Sequence, residues 1–336
     1  MTDPVLVEVT RGACLLQARV ESFHIGAAVA IDASGAIAFQ AGDIDRPIYP
    51  RSAVKALQQL PLVESGAADK LGLTDDEIAL ACSSHSGQEV HVAAAASMLR
   101  KAGRDEHTLE CGVHWPNDQA SARKLIAEGA QPSAIHNNCS GKHSGFICLA
   151  CARGEDPAGY VQPDHPTMRQ VTAALSAMTG AKLDDSNRGT DGCSIPTFAI
   201  PLRALALGFA RFGSAQGLSP ERAKATRRIR EAVAKNPLMV AGTGRFDTRM
   251  MTAMGARVFC KGGAEGVHCA AIPELGLGIA VKCDDGAGRG ADVVTAALID
   301  RFLRPNNEEV AALVRPVLKN WNGIQVGEMR PAGPLL

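Results

Sequence analysis

The order of strand-like and helix-like segments limits the fold of this chain more than any other feature of its sequence. Short apolar runs typical of strands come first, at residues 5–9, 14–22, 27–31 and 37–41. Runs of the same kind return late, separated by glycine-rich turns, at residues 257–261, 267–272 and 278–282. The simplest assembly pairs the early and late strands in one antiparallel sheet.

The residues between these two groups are typical of helices, because their apolar side chains recur three and four positions apart. The predicted central helices are residues 52–60, 75–82, 90–102, 118–128, 141–153, 167–178, 197–212, 220–234 and 247–254. Two more predicted helices, at 291–303 and 307–318, come near the end of the sequence. Residues 327–336 contain two prolines and are expected to be a loose end.

This pattern predicts an α+β fold in which helices flank an antiparallel sheet. Residues 1–50 and 255–336 would form a discontinuous lobe that carries the sheet, and residues 51–254 would form a mainly helical lobe. A cleft between two lobes is a common place for a small-molecule site.

Composition excludes several classes of partner. The 35 basic and 35 acidic side chains cancel and aromatic residues are few, so we expect no nucleic-acid partner. No apolar stretch reaches the length of a membrane span, so no membrane partner is expected. The N-terminus lacks a basic region followed by an apolar one, which predicts a cytoplasmic protein whose ten cysteines are mostly thiols.

Ser52-Ala-Val-Lys55 is the motif with the clearest chemical meaning. A serine and a lysine three apart on a helix share one face, so a neutral lysine can accept the proton of the hydroxyl. Cys260-Lys-Gly-Gly263 follows in a late strand, and penicillin-recognising serine enzymes use this order. The motifs therefore indicate acyl transfer. Ser121-Ala-Arg-Lys124 has the same spacing, but its polar surroundings favour a solvated helix face.

A second reactive segment, Cys82-Ser-Ser84-His-Ser86-Gly, follows an apolar predicted helix. Its serines and histidine could orient a substrate amide or relay protons. They could equally form a polar loop that caps the next helix, and both interpretations stay open for this segment alone.

Two further segments combine cysteines with polar and small residues. Cys139-Ser-Gly-Lys142-His143 has helical spacings, and Asp191-Gly-Cys193 adds a second thiol. Two cysteines and a nitrogen donor could hold zinc with one position open, or the cysteines could be buried free thiols. A lysine ligand must be neutral, which costs roughly 4–5 kcal/mol at neutral pH. Cys148-Leu-Ala-Cys151 has a metal-like spacing, but its apolar surroundings favour packing in a buried helix.

Taken together and in this order, these segments resemble the Rhizobium etli-type L-asparaginases, the asparaginase II family. The match covers nearly the whole chain and lies in Pro-Arg-Ser52-Ala-Val-Lys55, Cys-Ser-Ser84-His-Ser-Gly, Asn-Asn-Cys139-Ser-Gly-Lys142-His143, Thr-Asp191-Gly-Cys193-Ser-Ile-Pro and Lys261-Gly-Gly-Ala-Glu-Gly. The resemblance implies a fold similar to serine β-lactamases and penicillin-binding proteins, and a homodimer. It also implies hydrolysis of L-asparagine to L-aspartate and ammonia.

The resemblance implies catalytic roles for four of the matched residues. Ser52 would be the nucleophile and Lys55 its base, while Ser84 and Lys261 would form a second serine–lysine pair. The second lysine is the least constrained of these assignments, since Lys282 also lies in a late strand.

The resemblance also implies two sets of binding residues. One zinc ion per chain would be bound by Cys139, Lys142 and Cys193. The charged ends of the substrate need opposite charges, and the residues that would help to hold the substrate are Arg51, His143 and Asp191.

Two other functions stay open at this point. The chain could be a β-lactamase-like amidase or esterase that acts on another acyl compound. It could also be a non-catalytic module that binds zinc or an amino acid. The intact Ser52–Lys55 pair speaks against a binding module, because such a protein has no need of an activated hydroxyl.

Overall fold

The structure is a computed structural model that describes residues 3–12 and 18–336. The early strands are β1 (Val5–Arg11), β2 (Arg19–Asp32), β3 (Ile37–Ala41) and β4 (Pro47–Ile48). Short central strands follow, namely β5 (Arg188–Thr190), β6 (Pro196–Phe198) and β7 (Ile200–Pro201). The late strands are β8 (Phe259–Gly262), β9 (Val267–Ile272), β10 (Leu277–Cys283), β11 (Val317–Lys319) and β12 (Gln325–Pro331).

The early and late strands share one antiparallel sheet, in the order β11-β12-β1-β2-β10-β9-β8, with β3 also paired to β2. β2 joins the two groups because its first half pairs with β1 and its second half with β10. The remaining strands form two short ribbons, β4 with β7 and β5 with β6. The predicted α+β class, with an antiparallel sheet built from both ends of the sequence, is confirmed.

Helices fill most of the sequence between the early and late strands. The first seven are α1 (Lys55–Gln58), α2 (Leu60–Glu64), α3 (Ala67–Lys70), α4 (Asp75–Ala81), α5 (Glu89–Lys101), α6 (Gln119–Ala127) and α7 (Ser140–Ala152). The others are α8 (Pro166–Thr179), α9 (Leu202–Ser214), α10 (Pro220–Lys235), α11 (Pro237–Ala241), α12 (Phe246–Met254), α13 (Gly288–Leu303) and α14 (Glu308–Val314).

Helices cover the sheet on both faces. On one face α9 lies so close to β10 that a Cβ on Gly278 would come within 2.0 Å of the carbonyl oxygen of Ala206. On the opposite face α13 lies against β2 and β10, and a Cβ on Gly290 would meet His24 at 2.8 Å and the Cys283 sulfur at 3.1 Å. The sheet is therefore the centre of a three-layer arrangement, and residues 27–31 of β2 are buried without alternation.

Prolines explain two differences between the predicted and observed helices. The helix predicted at 52–60 is a 3₁₀ turn, Arg51–Val54, followed by α1 and α2. The break comes before Pro61, which has no N–H to donate to a preceding turn. The helix predicted at 197–212 begins only at Leu202, after Pro201, and the residues before it form β6 and β7.

The end of the described sequence differs most from the prediction. The helix predicted at 307–318 stops at Val314, because Arg315 precedes Pro316 and helical conformation is disfavoured before a proline. The loose end predicted at 327–336 is wrong, since most of β12 lies there and pairs with β1, with Met329 opposite Val9. Of the strand predicted at 14–22, residues 14–17 lie outside the described residues.

The predicted division into two lobes stays a prediction. Strands of the main sheet come from before residue 50 and after residue 255, and the sequence between them is mainly helical. However, α9 belongs to this central sequence and packs directly on β10. Among residues 3–12 and 18–336, no helix has both the length and the apolar character needed to cross a bilayer.

Candidate active site

A cavity of about 250 Å³ lies beside β8, and three of the predicted catalytic residues line it. These are Ser52, Ser84 and Lys261, which come from widely separated parts of the sequence. The other polar and charged side chains of the wall are Asn138, Arg245, Asp247 and Asp292. The cavity therefore combines two hydroxyls with groups of both charges.

Ser52 lies in the 3₁₀ turn between Pro50 and α1 rather than in a regular α-helix. Arg51, which precedes it, has a φ of +52°, a conformation that non-glycine residues rarely adopt and that is found often at functional sites. The chain after β8 approaches this turn closely, since a Cβ on Gly263 would lie 2.6 Å from the carbonyl oxygen of Pro50. Glycine at 263 thus allows the segment that follows Lys261 to pack against the serine turn.

Ser84 lies in the loop after α4, and backbone hydrogen bonds hold that loop in place. Its N–H donates to the carbonyl of Val240 at 2.9 Å, and the N–H of His85 donates to the carbonyl of Asn138 at 3.1 Å. The amine of Lys55 donates to the Ser84 hydroxyl at 2.9 Å. In the described part of the chain no hydrogen bond joins Lys55 to Ser52, so the hydroxyl partner of Lys55 is Ser84.

Lys55 and Lys142 both contact cysteine sulfurs behind the cavity. Lys55 Nζ lies 3.2 Å from Cys139 Sγ, and Lys142 Nζ lies 2.9 Å from Cys193 Sγ. A hydrogen bond from the Cys193 thiol, aided by both lysines, holds the pKa of Cys139 well below its usual range despite burial. The same hydrogen bond, together with burial, raises the pKa of Cys193. Cys139 is therefore the thiolate of the pair, and Cys193 keeps its proton.

The predicted zinc ligands converge in this cluster. Burial acts to lower the pKa of Lys142, but Cys193, Cys139 and Asp191 outweigh it and raise the pKa above its usual value. Zinc binding therefore requires that Lys142 and Cys193 lose their protons. Two sulfurs and one nitrogen, all buried, form a donor set that suits zinc once those protons leave. The residues fit the predicted ion.

Lys261 is buried at the cavity wall beside a carboxylate. Its amine donates to the carbonyl of Gly262 at 2.6 Å and lies 3.7 Å from Asp247 Oδ2. Burial lowers the pKa of Lys261 to about 8, although the negative charge of Asp247 acts to raise it. An amine with this pKa changes its protonation state close to neutral pH.

The three predicted substrate-binding residues lie outside the wall of the Ser52 cavity, as far as the described residues define it. Arg51 Nε donates to Asp191 Oδ1 at 2.8 Å, so these two charges neutralise each other. His143 Nδ1 lies 2.6 Å from the hydroxyl of Tyr160. That hydroxyl also accepts the N–H of Glu110 at 2.9 Å. Burial lowers the pKa of His143 well below its usual value, so the ring is neutral.

Lys282, the other candidate for the second catalytic lysine, lies at a different cavity. That neighbouring cavity has a volume of about 540 Å³ and is also lined by Tyr49 and Arg51. The amine of Lys282 donates to the carbonyl of Glu265. The lysine that shares a cavity with Ser52 and Ser84 is therefore Lys261.

A comparison with protein families identifies the chain. The family model of L-asparaginase II matches residues 7–331. The chain belongs to the L-asparaginase II family. This membership confirms the resemblance drawn from the motifs and the predicted enzyme class, an amidohydrolase. Among curated proteins, none matches the sequence.

Solved structures similar to this L-asparaginase II family chain are distant in sequence. The protein Mglu is 15% identical with a TM-score of 0.38, and the similarity covers 83% of this chain and 67% of the Mglu chain. Unliganded simvastatin synthase (LovD) from Aspergillus terreus is 14% identical with a TM-score of 0.40, over 85% of this chain and 93% of LovD. A β-lactamase from Mycobacterium bovis is 13% identical with a TM-score of 0.40, over 82% and 94% of the two chains.

Several residues of the site lie outside the motifs that carry the family resemblance. Asp247 lies in the first turn of α12, His268 lies inside β9, and Asp292 lies near the start of α13. Burial raises the pKa of Asp292 to about 6, and its carboxylate lies 3.8 Å from His268 Nε2. The local sequence around these residues does not mark them as functional, because an acid in a first helical turn and a histidine in a strand are both common.

Asp247, Cys260 and His268 form a second group of possible metal ligands, with donor atoms within 4.8 Å of one another. The carboxylate of Asp247 already accepts the N–H of Gly262 at 3.1 Å and His268 Nε2 at 2.9 Å. Burial raises the pKa of Cys260 well above its usual value, so the thiol keeps its proton. Lys261 also lies beside Asp247. This group is therefore a network of hydrogen bonds and charges rather than a cation site.

Proposed function

We propose that this protein hydrolyses the side-chain amide of L-asparagine to give L-aspartate and ammonia. Membership of the L-asparaginase II family gives the reaction class. The observation that supports this proposal most strongly is the cavity of about 250 Å³ in which Ser52, Ser84 and Lys261 meet. Its charged walls suit a small zwitterionic amino acid, and its volume suits a ligand of that size.

In the proposed mechanism Ser52 is the nucleophile. Its oxygen attacks the carbon of the carboxamide, and the hydroxyl proton passes to a lysine amine. The C–N bond then breaks, ammonia leaves with one added proton, and an aspartyl ester remains on Ser52. Water attacks the ester carbon, which releases aspartate and returns the proton to the serine. Backbone N–H groups of the turn that carries Ser52 would stabilise the oxyanion.

Two lysines share the proton transfers in this proposal. Lys55 is the proposed base of Ser52. Its amine donates to the Ser84 hydroxyl in this structure, so in this proposal it turns to Ser52 when the substrate is bound. Lys261, which lines the same cavity as Ser84, is the proposed partner of that serine, and its pKa of about 8 suits an amine that both accepts and returns a proton.

A zinc ion would be held by Cys139, Lys142 and Cys193, with one position left for water or substrate. When bound, zinc would supply a positive charge that orients the substrate, since the serine already supplies the nucleophile. Arg51, His143 and Asp191 lie outside the wall of the Ser52 cavity, and their substrate-binding roles remain proposals that rest on the family resemblance. A homodimer in the cytoplasm remains the expected setting for the enzyme.

Ammonia release from asparagine and from glutamine, measured with and without added zinc, tests this function directly. We expect turnover of asparagine and slower turnover of glutamine, because one extra methylene is worth about 1–3 kcal/mol in a fitted pocket. Turnover of a chromogenic β-lactam or an ester but not of asparagine would assign the chain to another acyl substrate. Tight asparagine binding without ammonia would indicate a binding module.

A further inference from the structure

The carboxylate of Asp247 is held at the wall of the Ser52 cavity by three neighbours. It is buried, accepts the N–H of Gly262 through both oxygens at 3.1 Å, and accepts His268 Nε2 at 2.9 Å. Its Oδ2 lies 3.7 Å from the amine of Lys261. Gly262 directly follows Lys261 in β8. The carboxylate therefore binds the backbone of one residue and lies beside the side chain of the residue before it.

We propose that Asp247 is the positioning residue of Lys261. The pair would act on Ser84 as the carboxylate and the base of a serine hydrolase act on their serine. The fixed carboxylate would hold the amine at the cavity wall and supply the counter-charge for its ammonium form. His268 fixes the carboxylate in turn. Its Nε2–H is the donor to Asp247, and its Nδ1 has no partner among the described residues.

The charges around the pair decide how Asp247 acts on Lys261. Asp247 opposes the effect of burial, whereas Lys55 and Arg245 favour loss of the proton. Asp292 faces the same group from α13, and its interaction with Lys261 is mutual. The thiols near the amine are Cys82, Cys139 and Cys269. Asp247 is the carboxylate that binds the backbone of β8 next to Lys261. We therefore expect its removal to change the position and the pKa of the Lys261 amine more than the removal of any other neighbour.

The test is the pH profile of asparagine hydrolysis by the zinc-loaded Asp247→Asn variant. Without the negative charge, burial acts on Lys261 unopposed, so the amine loses its proton more easily. We expect the acid limb of kcat to lie near pH 8 in the wild type and about one unit or more lower in this variant. Asp247→Glu keeps the charge, so its limb should stay in place while kcat falls because the amine is displaced.

Glu77→Gln is the matched control. Glu77 is also a buried carboxylate that binds a backbone N–H and a lysine, at 2.8 Å from Thr74 N and 2.6 Å from Lys101 Nζ, outside the cavity. Its loss should lower thermal stability and leave the limb where it is. A folded Asp247→Asn protein whose limb stays at the wild-type pH would overturn the proposal. If that variant does not fold, Asp247→Glu decides, and wild-type kcat and KM in this variant would overturn it.

A measurement without turnover separates this inference from the proposed function on which it rests. In protein labelled with ¹³C at lysine Cε, the Lys261 resonance is assigned by its loss in Lys261→Arg. We expect its titration midpoint near pH 8 to move lower in Asp247→Asn and not in Glu77→Gln. If asparagine is not hydrolysed but this shift occurs, the proposed function fails and the Asp247–Lys261 pair stands. An unchanged midpoint contradicts the pair whatever the substrate.

Discussion

Lys142 and Lys261 are equally buried, each with about 1% of its surface exposed, yet their surroundings act on them in opposite directions. Around Lys142, two cysteines and Asp191 outweigh burial and raise the pKa. Around Lys261, the negative charges of Asp247 and Cys139 do not offset burial and the nearby cations Lys55 and Arg245, and the pKa falls to about 8. Burial alone therefore does not decide the charge of a lysine; the balance of the charges and polar groups around it does.

This difference in pKa indicates different roles for the two lysines. Lys142 is a cation whose proton a metal ion must displace, so it belongs to a binding cluster. Lys261 gains and loses its proton close to neutral pH, so it belongs to the reaction. Mutations can test whether zinc binding and proton transfer depend on different lysines.

The largest effect is expected for Ser52→Ala, because the proposed reaction requires the Ser52 hydroxyl as its nucleophile. We expect a folded protein whose kcat for asparagine is lower by about 10⁴-fold or more. Ser121→Ala is the control, because Ser121 has the same spacing to a lysine but lies on α6, away from the cavity. Substantial turnover by Ser52→Ala would remove Ser52 as the nucleophile.

The next largest effect separates the two lysines. Lys261→Met should lower kcat by about 10²–10⁴-fold, the usual value of a general acid–base group, and leave the zinc content unchanged. Lys142→Met should lose zinc instead, as measured by metal analysis of the purified protein. If both variants lose zinc, or neither does, the division of roles is wrong. Lys282→Met should stay within about twofold of the wild type.

Removal of either cysteine tests the binding cluster alone. Cys139→Ser and Cys193→Ser should each lower zinc affinity by about tenfold or more, because each removes a sulfur donor from the set of three. Cys148→Ser, which changes a buried cysteine of α7 outside the cluster, is the control for folding. Wild-type zinc content in both cluster variants would contradict the proposed ligands.

The smallest effect is the pH dependence of the wild type. Lys261 must be neutral to accept a proton, and its pKa is lowered to about 8. The rate should therefore rise with pH up to about 8 and fall about tenfold for each unit below it. The limb should persist in Ser121→Ala and vanish in the residual activity of Lys261→Met. A flat profile between pH 6 and pH 9 would place the working lysine elsewhere.

The sequence identified the contiguous parts of the site better than the parts that tertiary packing brings together. Ser52, Ser84 and Lys261 were found because motifs mark them, and they do line one cavity. Asp247 and His268 were missed, because their partnership joins α12 to β9 and neither residue has an unusual local pattern. The hydrogen bond of Lys55 to Ser84, rather than to Ser52, depends in the same way on the packing of two distant segments.

The fold shows the same limit at its ends. Helices with clear apolar periodicity, such as α5 and α10, were predicted to within one residue at each end. β12 was missed because its polar residues, with prolines at 331 and 334, resemble a tail, and only pairing with β1 makes it a strand. Its stability comes from a partner more than 300 residues away in sequence, as with the contact of Thr10 and Glu328.

The most direct test of the account is to trap the covalent intermediate. Wild-type protein mixed with L-asparagine, quenched in acid and mapped by peptide mass spectrometry should contain an aspartyl ester on Ser52. Ser52→Ala should contain none, and Lys261→Met should accumulate the ester if the lysine serves its hydrolysis. An ester on Ser84, or ammonia release without any ester at either serine, would contradict the central claim.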